Sequence, residues 1–234
     1  MSISAASVLN SVAVKLFDPD FIRWSVFELY QDLNDGQREI IFFKPDSNMV
    51  NEAFTLAAAI KQTLPTGGVF LFDVVDNVTS GRLISMVDRK LLSAAAPTWH
   101  TNTTTETVGI KHYSYNENDP KYFYVYPKPS EIFDVNILYS KLAEDVTATS
   151  TGIDMLISNV TGDLTIADEY KNVLIDYIMY RAFSKDSEYS SATRAQMHYQ
   201  AFMNGLGART QVEDKEDPNR AEPSVSERSR WTRR

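Results

Sequence analysis

Along the first fifty residues the apolar positions follow a helical period. Val8, Val12 and Leu16 stand four apart, which predicts a short amphipathic helix over residues 4–16. Asp18-Pro19-Asp20 stops it. Ser25 and Glu28 then have capping-box spacing, in which the serine oxygen takes a backbone N–H and the glutamate reaches back to the cap. Trp24 and Leu29 occupy the flanking staple positions. Val26, Leu29, Tyr30, Leu33, Gln37, Ile40 and Ile41 form one stripe, which ends at Lys44-Pro45 because proline cannot continue a helix. Gly36 costs this helix about 1 kcal/mol relative to alanine, and close approach of a neighbouring backbone would justify it.

From about residue 52 the period becomes two. Phe54, Leu56, Ala58, Ile60 and Leu64 alternate as in a strand with one buried face, and residues 69–75 are a nearly continuous apolar β-favouring run. With Pro65-Thr66-Gly67-Gly68 as the turn, the two read as a hairpin. Residues 83–92 return to helical spacing, closed by Pro97-Thr98-Trp99-His100. A polar loop follows at 101–107. Residues 108–115 and 122–126 flank the turn-rich segment 116–120 and read as a second hairpin, and 133–142 supplies another strand. Residues 143–162 carry no clear period.

Helix resumes at a cap-like Thr165 to Asp168, with Tyr170, Val173, Leu174, Tyr177, Ile178, Arg181 and Ala182 at helical spacing. Ser184-Lys185-Asp186 breaks it. A last helix is predicted from about residue 190 to Leu206, with Gly205 and Gly207 where a C-terminal cap falls. The polar, proline-bearing remainder reads as disordered by itself. Helices, then strands, then helices predict an α+β fold. The expected division is 1–50, N-terminal helices of a bundle; 51–142, an inserted antiparallel β module; 143–207, a linker and C-terminal helices; and 208–234, an extended tail.

Composition narrows the class. In 234 residues, 43% hydrophobic and 23% charged, nothing approaches the roughly 18 consecutive apolar residues of a bilayer span. The start of the chain has no signal-peptide pattern. With no cysteine there is no disulfide framework and no thiolate chemistry. The net charge is -8, unevenly placed: the last 28 residues hold seven basic and six acidic groups, leaving 16 basic against 25 acidic before them. Such an acidic body is a poor binder of duplex DNA.

Catalytic patterns are lacking. His100, His112 and His198 have no metal-type spacing, there is no GxSxG elbow, and Gly67-Gly68 lacks the Lys-Ser/Thr of a phosphate loop. No cofactor, no metal and no enzymatic activity are expected. Carboxylate pairs such as Asp73 and Asp76 are what 31 acids produce by chance. Two features remain. Tyr113, Tyr115, Tyr122, Tyr124 and Tyr126 cluster in the second hairpin, as core and interface residues or as an exposed aromatic ladder able to stack on sugars. Arg228, Arg230, Trp231, Arg233 and Arg234 end the chain in the residue types most enriched at binding hot spots.

Several segments taken in order resemble the head-to-tail adaptor (connector) proteins of short-tailed bacteriophages: WSVFELYQDLNDGQREI (24–40), AIKQTLP (59–65), Asp88-Arg89 with Pro97-Thr98-Trp99-His100, and DPKYFYVYP (119–127). So do IDYIMYRAFSKDSE (175–188) and AQMHYQAF (195–202). The likeness spans about residues 20–206 and leaves the tail out. It implies a virion structural protein, made in the host cytoplasm and placed in the neck between capsid and tail. Such adaptors form a ring, usually of twelve copies, under the portal protein. They extend the DNA channel without sequence-specific binding and present a platform to the tail nozzle or tail tube and to tail fibres. The resemblance implies that the helices build the ring and that the β module faces outward or toward the tail. The five tyrosines would lie at the tail, fibre or subunit interface, and the Arg/Trp end would clamp the portal. The competing reading is a carbohydrate- or fibre-binding module using the tyrosine-rich hairpins.

Overall fold

The computed structural model describes residues 3–101, 109–116, 118–129, 133–185 and 191–216, with side chains through residue 208. The fold is α+β, built around two separate apolar cores. Helices α1 (Ala5–Lys15), α2 (Val26–Phe43), α4 (Lys171–Ser184) and α5 (Ala192–Glu216) surround the first. The capping box of α2 forms: Ser25 Oγ accepts the Glu28 N–H, and Glu28 accepts the Ser25 N–H. Helix α4 lies in the middle, with Leu174, Ile175, Tyr177, Ile178, Met179, Ala182 and Phe183 all buried. It packs on α2, on α1 and, antiparallel, on α5.

Gly36 faces the side chains of α4 rather than a backbone. A Cβ there would stand 2.6 Å from Leu174 Cδ1 and 2.7 Å from Tyr177 Cδ1. Gly205 and Gly207 do not end α5, which runs on to Glu216. Gly205 instead lets α5 close on Val173 of α4, where a Cβ would meet Cγ2 at 2.9 Å.

The second core lies within two sheets. One has the order β1 (Met49–Leu56), β7 (Phe133–Lys141), β3 (Gly68–Asn77), all antiparallel. The other runs β2 (Lys61–Thr63), β6 (Tyr122–Tyr126), β5 (His112–Tyr115), β4 (Ser85–Met86), with β4 parallel to β5. The expected hairpin of residues 52–75 is absent. Both long strands pair with β7, while the residues between them supply β2 to the other sheet. The hairpin of β5 and β6 is present. Residues 83–92 are mostly extended, and the helix there, α3 (Arg89–Ala95), starts later, capped by Asp88.

The aperiodic segment 143–162 belongs to the helical core. It is held by polar groups buried in α2: Asn34 Oδ1 accepts the Val146 N–H (3.0 Å), Tyr30 Oη donates to the Val146 carbonyl (2.7 Å), and Gln37 Oε1 accepts the Thr165 N–H (2.9 Å). Its own strand-like backbone pairing is limited to residues 147–149 against 159–162, and the bonds from α2 satisfy groups that this pairing leaves out.

Candidate functional site

The alternation of β5 and β6 divides the five tyrosines between two faces. Tyr113 is buried beside Phe123 and Val125, and Tyr115 packs against the same core. The Tyr113 hydroxyl donates to Asp73 (2.9 Å); burial, and then the Asp73 charge, push its ionisation above the ordinary tyrosine range. Tyr115 Oη accepts the Leu71 N–H and donates to the Pro120 carbonyl, both at 3.3 Å. Tyr122, Tyr124 and Tyr126 are half-buried and share the opposite face. Lys61 Nζ sits 3.5 Å over the Tyr122 ring, Tyr124 meets the edge of Trp99 at 6.3 Å, and Tyr126 stacks on His112. Trp99, whose indole N–H donates to Ser93 Oγ, lays the end of the α3 region over this face. It is an aromatic surface already partly covered by its own chain.

On the helical body, α2 and α4 present a polar ladder. Lys185 meets Glu28 at 2.6 Å, Arg181 meets Asp32 at 3.2 Å, and Arg38 reaches Asp145. An open cavity of about 320 Å³ lies over the first two pairs. Burial pushes Asp32 up to about 6 although Arg181 draws it down. Burial acts the same way on Glu28, but the Lys185 bond and charge and the Ser25 donors outweigh it, so its carboxyl is held low. These acids are tied to cations and carry no nucleophile. The histidines stay apart: His198 pairs with Asp176 (2.9 Å) and stacks on Phe183, His112 stacks on Tyr126, and His100 lies against Trp99. Among the described residues, no group of three His, Asp or Glu could hold a metal ion, and no helix is long and apolar enough to cross a membrane.

A third surface forms between α1 and α2. The Asp18 carboxylate is buried and accepts the backbone N–H groups of Ile22 (3.0 Å), Arg23 (2.7 Å) and Trp24 (3.0 Å). The turn it organises holds Phe17 and Phe21 at φ 56° each, in the left-handed region that bulky residues avoid. Its outer edge presents Phe17 and Ile22 to solvent, 86% and 82% exposed. In the sequence Asp18 marks only a helix stop, so this anchoring role was not legible. The buried Asn34 carried no signal either; Gln37, a polar residue inside an apolar stripe, did.

Arg228, Arg230, Trp231, Arg233 and Arg234 lie outside the described residues. The structure thus brings Tyr122, Tyr124 and Tyr126 together, separates them from Tyr113 and Tyr115, and ends its account before the Arg/Trp terminus.

No curated protein matches the chain. A family model, however, matches residues 3–226, taking in both cores, the long α5 and part of the tail. With nearly the whole length matched, this chain belongs to the SU10 adaptor protein family, structural components of the bacteriophage particle.

Proposed function

We propose that the chain assembles as a ring, of twelve copies, between the portal protein at the capsid vertex and the tail, and extends the channel through which DNA passes. The observation that carries this reading is the match to an adaptor family over residues 3–226. The helical core is the ring-forming part, and the β core reaches toward the tail nozzle or tail tube and the fibres. Tyr122, Tyr124 and Tyr126, on the outer face of β6, are the contacts offered there, while Tyr113 and Tyr115 support that sheet from inside. The excess of acids in the body suits a channel wall, since repulsion of phosphate lets DNA slide.

The clamp, read from the sequence as residues 208–234, begins past Glu216, where the described part of α5 stops, with Arg228, Arg230, Trp231, Arg233 and Arg234 as its anchors. A segment that orders on docking gains a large contact surface, and repetition around a ring adds avidity. The test is cryo-EM of particles assembled with the full chain and with residues 217–234 deleted. A ring at a single vertex with the full chain, lost on deletion while the body stays folded, is the expected result. Absence of any ring refutes the adaptor reading. Undiminished attachment of the deleted chain refutes the clamp alone. The half-buried tyrosine face also supports a second use, contact with fibres or glycans, read directly by glycan binding to the full chain.

A further inference from the structure

The two ends of α5 carry opposite chemistry. At its start, the last turn of α1, the Asp18-anchored turn and the first turn of α5 enclose a notch of about 370 Å³. Lys15, Phe17, Arg23, Trp24, Phe183 and Arg194 line it, and no acidic side chain among the described residues does. Arg194 lies over the Phe183 ring at 5.5 Å, and neither Lys15 nor Arg194 forms an ion pair among the described residues. In a body with 25 acids against 16 bases this is a local reversal of charge. Phe17 and Ile22 stand exposed on the adjoining turn, whose shape the three backbone bonds to Asp18 fix in advance.

At the other end, Leu206 is the last described buried residue of α5, and the helix continues ten residues further, about 15 Å, to Glu216. Those ten residues contain Glu213, Asp214 and Glu216 against Arg209 and Lys215, with the three acids gathered in the last four. Acids at a helix C-terminus meet the negative end of the macrodipole and destabilise the helix that carries them. A cation facing them offsets that cost. The cationic notch of the same chain is out of reach, because Arg194 sits in the first turn of this 25-residue helix, about 37 Å long.

We infer that the acidic last turns of α5 from one copy seat in the Lys15–Arg194 notch of the next copy. The contact joins two different surfaces, so it is heterologous and propagates head to tail until the rotation closes a ring. This rests on the ring reading above and adds to it the partner surfaces.

The natural chain has no cysteine, which makes a disulfide test clean. In the full chain, Arg194→Cys combined with Asp214→Cys, assembled on portal-bearing capsids and mildly oxidised, is expected to give a ladder of covalent multimers. Neither single variant should cross-link. Charge reversal is the second arm. Lys15→Glu with Arg194→Glu, or Glu213→Lys with Asp214→Lys and Glu216→Lys, should each raise the concentration needed for assembly about tenfold or more. The two sets together should recover most of that loss, the signature of direct coupling. Dimers from Arg194→Cys alone would mean a two-fold contact and overturn the inference. So would a ring that is visible at the vertex yet gives no ladder and ignores the reversals; that outcome leaves the ring reading intact. No ring with the natural chain overturns both.

Discussion

Replacing Asp18 with alanine tests the physical account of the exposed turn between α1 and α2. The substitution removes one acceptor and orphans three donors, the N–H groups of Ile22, Arg23 and Trp24. A hydrogen bond to a charged acceptor contributes about 1.5–3 kcal/mol, less than additively when donors share one carboxylate. The Trp24 donor is buried and cannot exchange its partner for water, whereas those of Ile22 and Arg23 are partly exposed. The same carboxylate also holds Phe17 and Phe21 in left-handed conformations that cost roughly 1–2 kcal/mol each. The expected loss is about 3–5 kcal/mol, a large share of the roughly 5–15 kcal/mol available to a folded domain. In urea the midpoint should fall with the slope unchanged. Asp18→Asn, which retains one acceptor oxygen, should lose less. The pH dependence adds an independent check. Burial raises the Asp18 carboxyl, but the backbone donors of Trp24, Arg23 and Ile22 and the Arg23 charge outweigh it and hold it below its ordinary 3.8. A lowered folded value means that this stabilisation is complete above the unfolded value and fades as pH falls through the folded one. The difference between the natural chain and Asp18→Ala should therefore narrow below about pH 4. An alanine variant within about 1 kcal/mol of the natural chain at pH 7 would refute the reasoning.

Gly36→Ala should destabilise by roughly 1–3 kcal/mol in denaturant melts despite its better helix propensity, because its Cβ lands on Leu174 and Tyr177 of α4. Phe123→Ala, in the centre of the β core, should cost about 3–5 kcal/mol by the same measurement. Asp32 carries the opposite pH sign from Asp18: with its folded value raised to about 6, stability attributable to it falls as pH rises from about 4 to 6. Asp32→Asn should remove that slope from a series of melts across pH 4–7 while leaving the decline at lower pH in place.

The elements that were legible in the sequence are those whose signals are local. The capping box of α2 needs only Ser25 and Glu28, three residues apart, and its stripe from Val26 to Ile41 repeats at one spacing. The β5–β6 hairpin likewise joins neighbours in the chain. The errors arose where the partner is distant. Residues 52–64 and 69–75 read as the arms of a hairpin, yet the long strands that form there, β1 and β3, each pair with β7, and no period within either strand names that partner. Gly205 reads as a cap because glycine usually ends helices, whereas here it is selected by Val173 of another helix. The segment 143–162 is aperiodic for a related reason: beside a short pairing within itself, it is tied by Asn34 and Tyr30 on α2, more than a hundred residues earlier. For the candidate surfaces, the five tyrosines read from the sequence as one cluster, and the division into inner and outer rings came with the pairing of β5 and β6. The Asp18 turn was not legible either, since its exposed Phe17 and Ile22 resemble ordinary core residues until the backbone places them outside.

The pairing of Met49 with Ser140 has a consequence for how the chain reaches its native state. The helices of the first core come from both ends of the chain, so α2 can meet α4 only after the roughly ninety residues between those two positions return on themselves. For a flexible loop of that length the closure entropy is on the order of 4 kcal/mol. Once β1 has zipped along β7, from Leu56 opposite Phe133 down to Met49 opposite Ser140, the two exits stand side by side and that entropy has already been lost. The remaining search, α2 against α4, closes about 37 residues (43–49 with 140–171) instead of about 128, which lowers its entropic cost by about 1 kcal/mol. Ordering of the strands thus works as a clasp that removes part of the cost of assembling the helical core, and weakening β7 should slow the docking of α2 on α4.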